Sequence, residues 1–195
     1  MELLDGHSKD FDYSFKIMLL GKSSIGKTIF ISRFKTINYF EFKKNITSDY
    51  QETVGFNFPI MDVKVNNKII RLQIWDCCGN ELYSSLIKWF YKNSKAFLIF
   101  YDFNDRNSFE RVKLYFNDID STMNTQSEFF LIRIKYELKY KEKNDFVSDE
   151  EALEYVHEKN AYFCHISIFE KYETGIYELI KLLIEKLIDK HNKNL

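Results

Sequence analysis

Residues 15–34 read FKIMLLGKSSIGKTIFISRF, and they constrain the fold more than any other stretch. The apolar run 15–20 stops at Gly21, the pattern of a short buried strand. Residues 26–34 then read as a helix. Between the two, GKSSIGKT at 21–28 matches G-x-x-x-x-G-K-S/T in full. Phosphate chemistry explains the spacing. Glycines let the chain turn tightly, so the backbone N–H groups of Ser23, Ser24, Ile25 and Gly26 can point at phosphate oxygens. The helix N-terminus adds the positive end of its dipole. Lys27 can reach the outer phosphates of a nucleotide, and the Thr28 hydroxyl can ligate Mg2+.

The rest of the chain keeps the same alternation of strand and helix. Residues 56–65 and 68–76 read as strands joined by Asn66-Asn67, a hairpin turn. Pro59, the only proline, argues for a sheet edge there. Residues 96–102 read as a buried strand, 104–123 as a helix, and 129–134 as a strand. Ser148 followed by Glu151 makes a capping box before a helix at 151–160. A last strand spans 161–167. The last helix, 175–191, has Ile176, Leu179, Ile180, Leu183 and Leu187 on one face. Residues 35–52 show no period and read as a loop. The alternation predicts a mostly parallel sheet with helices on both faces. A length of 195 residues with 45% apolar content fits one folded domain.

Charge and cysteine usage exclude several classes. A net charge of -1 gives no general attraction to nucleic acid or acidic membrane. Cys77, Cys78 and Cys164 have no zinc-ligand spacing and read as reduced thiols. The charged stretch near 139–144 reads as an exposed loop. The first residues do not read as a signal peptide, and Glu2 does not allow myristoylation. No apolar run is long enough to span a bilayer. The closing KHNKNL carries no cysteine for a prenyl group.

The stretch QIWDCCGNELY, 73–83, ends a strand in Asp76. An acidic strand end delivered beside a phosphate loop is a partner of the Mg2+ site, through a water. Gly79 stands at D-x-x-G spacing, where its N–H can meet a terminal phosphate. Residues 77–83 then read as a loop that moves.

Taken in order, KIMLLGKSSIGKTIFISRF, TVGFNF, LQIWDCCGNELY, FYKNSKAFLIFYDFNDRNSFERV and LIRIKYEL resemble the Ras-superfamily small GTPases, most of all the Rab branch. The resemblance covers about residues 15–191. It implies an α/β G domain at 14–191 between tails at 1–13 and 192–195. It also implies a six-stranded, mostly parallel sheet with one antiparallel edge strand and about five helices. Bound GTP or GDP with Mg2+ would follow. Thr53 matches the first-switch threonine that closes on the metal and terminal phosphate, and Phe58, Trp75 and Phe90 match the aromatic triad shown to effectors. Effectors, an exchange factor and an activating protein are the implied partners, and vesicle transport the implied setting. A monomer, cytoplasmic or held at a membrane through a partner, is the expectation.

The pattern breaks at particular residues. Asn80 stands where the family has the glutamine that orients the attacking water, so hydrolysis is expected to be slow. The guanine-reading N-K-x-D loop reads IKYE at 134–137. Lys135 keeps the stem that covers the base, and Glu137 keeps the charge with a longer reach. Ile134 supplies no amide. The S-A-K loop reads SIF at 167–169. Ser167 and the Ile168 N–H can still serve the base, and Phe169 replaces the lysine. In the long 35–52 approach, Tyr39, Phe40 or Phe42 is expected to pack on the base. These breaks leave two rival readings: a pseudo-GTPase interaction module, and a P-loop enzyme that accepts ATP.

Overall fold

The computed structural model describes residues 1–36, 55–79, 83–123, 126–135, 146–167 and 175–194. The chain runs β1 (Glu2–Leu3), β2 (Tyr13–Gly21), α1 (Lys27–Lys35), β3 (Phe56–Asn57), β4 (Ile60–Val65) and β5 (Lys68–Cys77). It continues through α2 (Ser84–Phe90), β6 (Ala96–Asp102), α3 (Arg106–Thr122) and β7 (Glu128–Lys135). It closes with α4 (Asp149–Glu158), β8 (Tyr162–Ser167) and α5 (Ile176–Lys193). One sheet holds the strands in the order β1-β4-β5-β2-β6-β7-β8, with β3 also on β5. The pairs β2–β5, β2–β6, β6–β7 and β7–β8 are parallel. The pairs β1–β4, β4–β5 and β3–β5 are antiparallel.

The six expected strands are present, and two short ones extend the plan. Pro59 has no N–H to give to a ladder, so 56–65 divides into β3 and β4 on either side of Phe58-Pro59. The Pro59 carbonyl still accepts the Ile74 N–H at 2.9 Å. The edge is not β4, as expected, but β1. Residues 1–13, expected as a tail, place Glu2 opposite Lys64 and Leu3 opposite Val63. Asn66 and Asn67 turn the β4–β5 hairpin with φ of 48° and 62°. Both values are positive, as a two-residue turn matched to strand twist demands.

Side-chain alternation along the strands makes two apolar layers. Leu19, Leu98, Phe100 and Ile132 face α1 and α5, where Phe30, Phe34, Leu183 and Ile184 meet them. Met18, Leu20, Phe97 and Ile99 face the other way, toward Phe109, Val112 and Phe116 of α3. Each fully buried aromatic or aliphatic side chain contributes about 1.5–3 kcal/mol. All five predicted apolar positions of α5 are buried. The Ser148 Oγ caps α4, accepting the Glu151 N–H at 3.2 Å. The Glu151 carboxylate turns to Arg106.

Candidate functional site

Parallel strands on one register end together. Gly21 pairs Phe100, Asp102 pairs Ile134, and Lys135 pairs Ser167. The carboxyl ends of β2, β6, β7 and β8 therefore form one rim, the usual crevice for a ligand in such sheets. The loop of residues 21–26 leaves this rim. Ser24 and Gly26 turn it with φ of 59° and 99°. Gly26 is the N-cap of α1 and has no side chain to cap it, so an oxygen for the helix's first N–H groups has to come from another group.

Two side chains organise the floor. Lys27 is buried, and its Nζ donates to the carbonyls of Gly21 at 2.9 Å and Lys22 at 3.1 Å. The Thr28 Oγ1 donates to Asp76 Oδ2 at 2.7 Å. Asp76 is fully buried, and its Oδ1 has no hydrogen-bond partner among the described residues. Burial raises its pKa, while the Thr28 hydrogen bond and the Lys27 charge oppose the rise. A buried carboxylate with one unspent oxygen beside a hydroxyl is a hard-oxygen donor set. It fits Mg2+, which keeps several waters and takes one or two protein ligands beside phosphate oxygens. Among the described residues no group of three His, Cys, Asp or Glu offers a cage of another kind.

Gly79 closes the site from above. A Cβ there would lie 2.2 Å from the Ser23 nitrogen and 2.3 Å from the Lys22 carbonyl carbon. Only a glycine brings this backbone so near the phosphate loop. The neighbouring Cys78 N–H is held by the Gly55 carbonyl at 3.1 Å. Cys77 and Cys78 are buried. Burial, with Asp76 beside it, pushes the Cys77 thiol up to about 12, so at neutral pH it is an inert thiol.

The end of the rim where a base is expected differs. Ile134 is fully buried within the apolar layer under α1 and α5, and offers the rim no polar edge. Ser167 ends β8, buried, with no hydrogen-bond partner for its Oγ among the described residues. Lys135 ends β7 beside it, though its side chain lies outside the described residues. Thr53, Asn80, Glu137, Ile168 and Phe169 also lie outside them, as do Tyr39, Phe40 and Phe42.

Phe58, Trp75 and Phe90 come together. Ring centroids are 4.4 Å apart for Phe58–Trp75 and 5.1 Å for Trp75–Phe90. Phe56 joins them, 4.8 Å from Phe90; its place two residues before Phe58 was the available signal. Lys16 holds its ammonium 3.8 Å over the Trp75 ring and donates to the Phe90 carbonyl at 2.6 Å. Phe58 is 48% exposed, so the cluster has an open face. Nothing in the sequence singles out Tyr115, whose hydroxyl donates from α3 to the Gly21 carbonyl at 3.3 Å.

A model of the Ras family matches residues 16–189. GTP-binding protein YPTM1 of Zea mays is 35% identical over 131 residues, covering 67% of this chain and 60% of that protein. GTP-binding protein YPT1 of Saccharomyces cerevisiae is 34% identical over 134 residues, 69% of this chain and 62% of that protein. Ras-related protein Rab-13 of Rattus norvegicus is 31% identical over 136 residues, 70% of this chain and 64% of that protein. The chain thus spans less than two thirds of the length of these relatives.

Proposed function

Because this chain belongs to the Ras family, on its Rab branch, we propose that it is a small GTP-binding switch. The observation that carries the reading is the Thr28–Asp76 pair beneath the phosphate loop, with the Asp76 Oδ1 unspent. The backbone N–H groups from Ser23 to Thr28 would hold the phosphates. Lys27 would reach the outer phosphates. Thr28 and Asp76 would hold Mg2+, with Thr53 closing on it; the ion screens charge on the phosphates when bound. The Gly79 N–H would meet the terminal phosphate. Lys135, Glu137, Ser167 and Ile168 would read the base.

Hydrolysis takes one water and gives GDP and phosphate. Asn80 would orient that water on a side chain one methylene short, and turnover would be slow. Nucleotide would order Thr53 and the loop after Asp76, and hydrolysis would release both. The face of Phe58, Trp75 and Phe90 would present that state to effectors, while other proteins exchange the nucleotide and assist its hydrolysis. The setting is vesicle transport, the chain acting as a monomer in the cytoplasm or at a membrane through a partner. No described helix is long and apolar enough to cross a membrane.

The test is the nucleotide that co-purifies. The protein is denatured and the released nucleotide identified by chromatography, for the wild type and for Lys27→Ala. Stoichiometric GDP or GTP, lost in Lys27→Ala, is the expected result. A high GTP share would report the slow hydrolysis. A folded protein that is empty and ignores added GTP with Mg2+ would leave an interaction module. Adenine nucleotide in the site would leave an ATP-using enzyme.

A further inference from the structure

Among the described residues, β1 alone forms a ladder on the outer side of β4, with two residues against the six of β4. It sets Glu2 opposite Lys64 and Leu3 opposite Val63, and the Leu4 N–H continues the ladder to the Asp62 carbonyl at 2.8 Å. Alternate residues of an antiparallel strand send their backbone groups to the same side. The N–H and C=O of Asp62 and Lys64 therefore face β1, and those of Val63 face β5. The link behind β1 is exposed at 5–7, and nothing lies within 4 Å of a Cβ built on Gly6. Such a link lets the cover lift.

The sequence of β4, IMDVKV, is complementary to itself. Set antiparallel with Val63 opposite Val63, two copies bring Asp62 opposite Lys64 and Met61 opposite Val65. An acid then faces Lys64 and an aliphatic residue faces Val63, as Glu2 and Leu3 do in the closed chain. Asp62 and Lys64 also carry the outward backbone groups, so the same register matches donors with acceptors. Opposite charges directly across a ladder stabilise it, and a two-fold contact of this kind closes on itself. We propose that β4 is a dimerisation edge for a second copy of this chain, with β1 as its removable cover. A tethered segment acts at about millimolar effective concentration, so the closed chain is a monomer. Once β1 lifts, the longer ladder forms. Lifting also withdraws the Ser8 N–H from Asp62 Oδ2, 2.7 Å away, while Arg71 stays on the carboxylate. The proposal stands apart from the nucleotide reading.

The experiment opens the cover in the full chain. Glu2→Lys with Leu4→Pro sets like charges opposite each other and removes the Leu4 donor. Glu2→Lys alone is the milder opener, should the pair lower the thermal midpoint to the point of unfolding. Sedimentation across a concentration series gives the mass, and hydrogen exchange of the Asp62 and Lys64 amides reports the edge. Wild type is expected to stay a monomer. The opened variant is expected to approach twice that mass, with both amides exchanging fast when dilute and slowly when concentrated. Adding Lys64→Pro removes an outward N–H at an edge position and leaves the β5 ladder its bonds, so the monomer is expected to return. A variant that opens without dimerising would overturn the proposal. So would a cover that stays shut, or a dimer that survives Lys64→Pro. A wild-type dimer, whether or not the variant keeps it, would deny β1 the role of cover and overturn it too.

Discussion

A methyl group at position 79 would stand 2.2–2.5 Å from three backbone atoms of the phosphate loop, at Gly21, Lys22 and Ser23. Backbone cannot swing aside as a side chain can. Gly79→Ala is therefore expected to lift the loop after β5 away from Ser23. Binding of a non-hydrolysable GTP analogue should weaken by about tenfold relative to GDP, since the proposed charge-assisted N–H bond to the terminal phosphate would be lost. Displacement of fluorescent GDP by each competitor measures it; equal losses would deny the terminal-phosphate role. The loop at 21–28 was legible at this scale because phosphate chemistry demands fixed residue types at fixed spacing. The base side was legible only as departures. Ile134 shows why: an apolar residue at that point joins the core, as its fully buried place confirms, and no motif announces it. Tyr115 was invisible, since a tyrosine at helical spacing reads the same whether or not its hydroxyl finds a carbonyl.

Elements were readable where local chemistry leaves no choice. The β4–β5 turn is such a case, because two successive positive φ values suit few residues. Asn67→Ala should cost about 1 kcal/mol, for an L side chain without the asparagine's local hydrogen bonding. Asn67→Gly should cost nothing. A fall of about 2–4 °C in thermal midpoint for the alanine alone would be the signature. The helix α2 was not placed from sequence, and its burial explains the miss. It has seven residues, of which only Ile87 is buried, so it carries no amphipathic period to find. The split of 56–65 at Pro59 was half legible: proline signalled the sheet's margin but not that the ladder would stop and restart. The strand β1 is two residues long, too short for any periodicity.

Across the whole molecule, the first twelve residues act as a strap over the outer hairpin. Leu4 donates to the Asp62 carbonyl at 2.8 Å, and the Ser8 N–H to Asp62 Oδ2 at 2.7 Å. Arg71 grips the same carboxylate at 2.8 Å and 2.9 Å, and the Ser8 carbonyl at 2.8 Å. Asp12 accepts from Lys68 and from the Ile69 N–H. The strap covers an edge that would otherwise offer unpaired backbone groups to another chain. The Arg71 hydrogen bond, ahead of other causes, holds the Asp62 pKa down. A carboxyl whose folded pKa is depressed adds stability above its unfolded value, about 3.9, and loses it as pH falls through the folded one. Asp62→Asn should therefore cost about 1–3 kcal/mol at neutral pH. Its deficit should close on acidification, as wild type gives up the same interaction. Denaturant unfolding across pH measures both, and a deficit that stays constant into acid would refute the assignment. One further property follows from where β5 places its neighbours. The chain has two tryptophans: Trp89 is 82% exposed, and Trp75 lies under the Lys16 ammonium, one residue before Asp76. Their indoles emit from opposite surroundings, one from water and one from among rings. With Trp89→Phe the remaining light comes from a residue sharing a peptide bond with Asp76, so the molecule carries its own dye at the joint between its phosphate floor and its aromatic face.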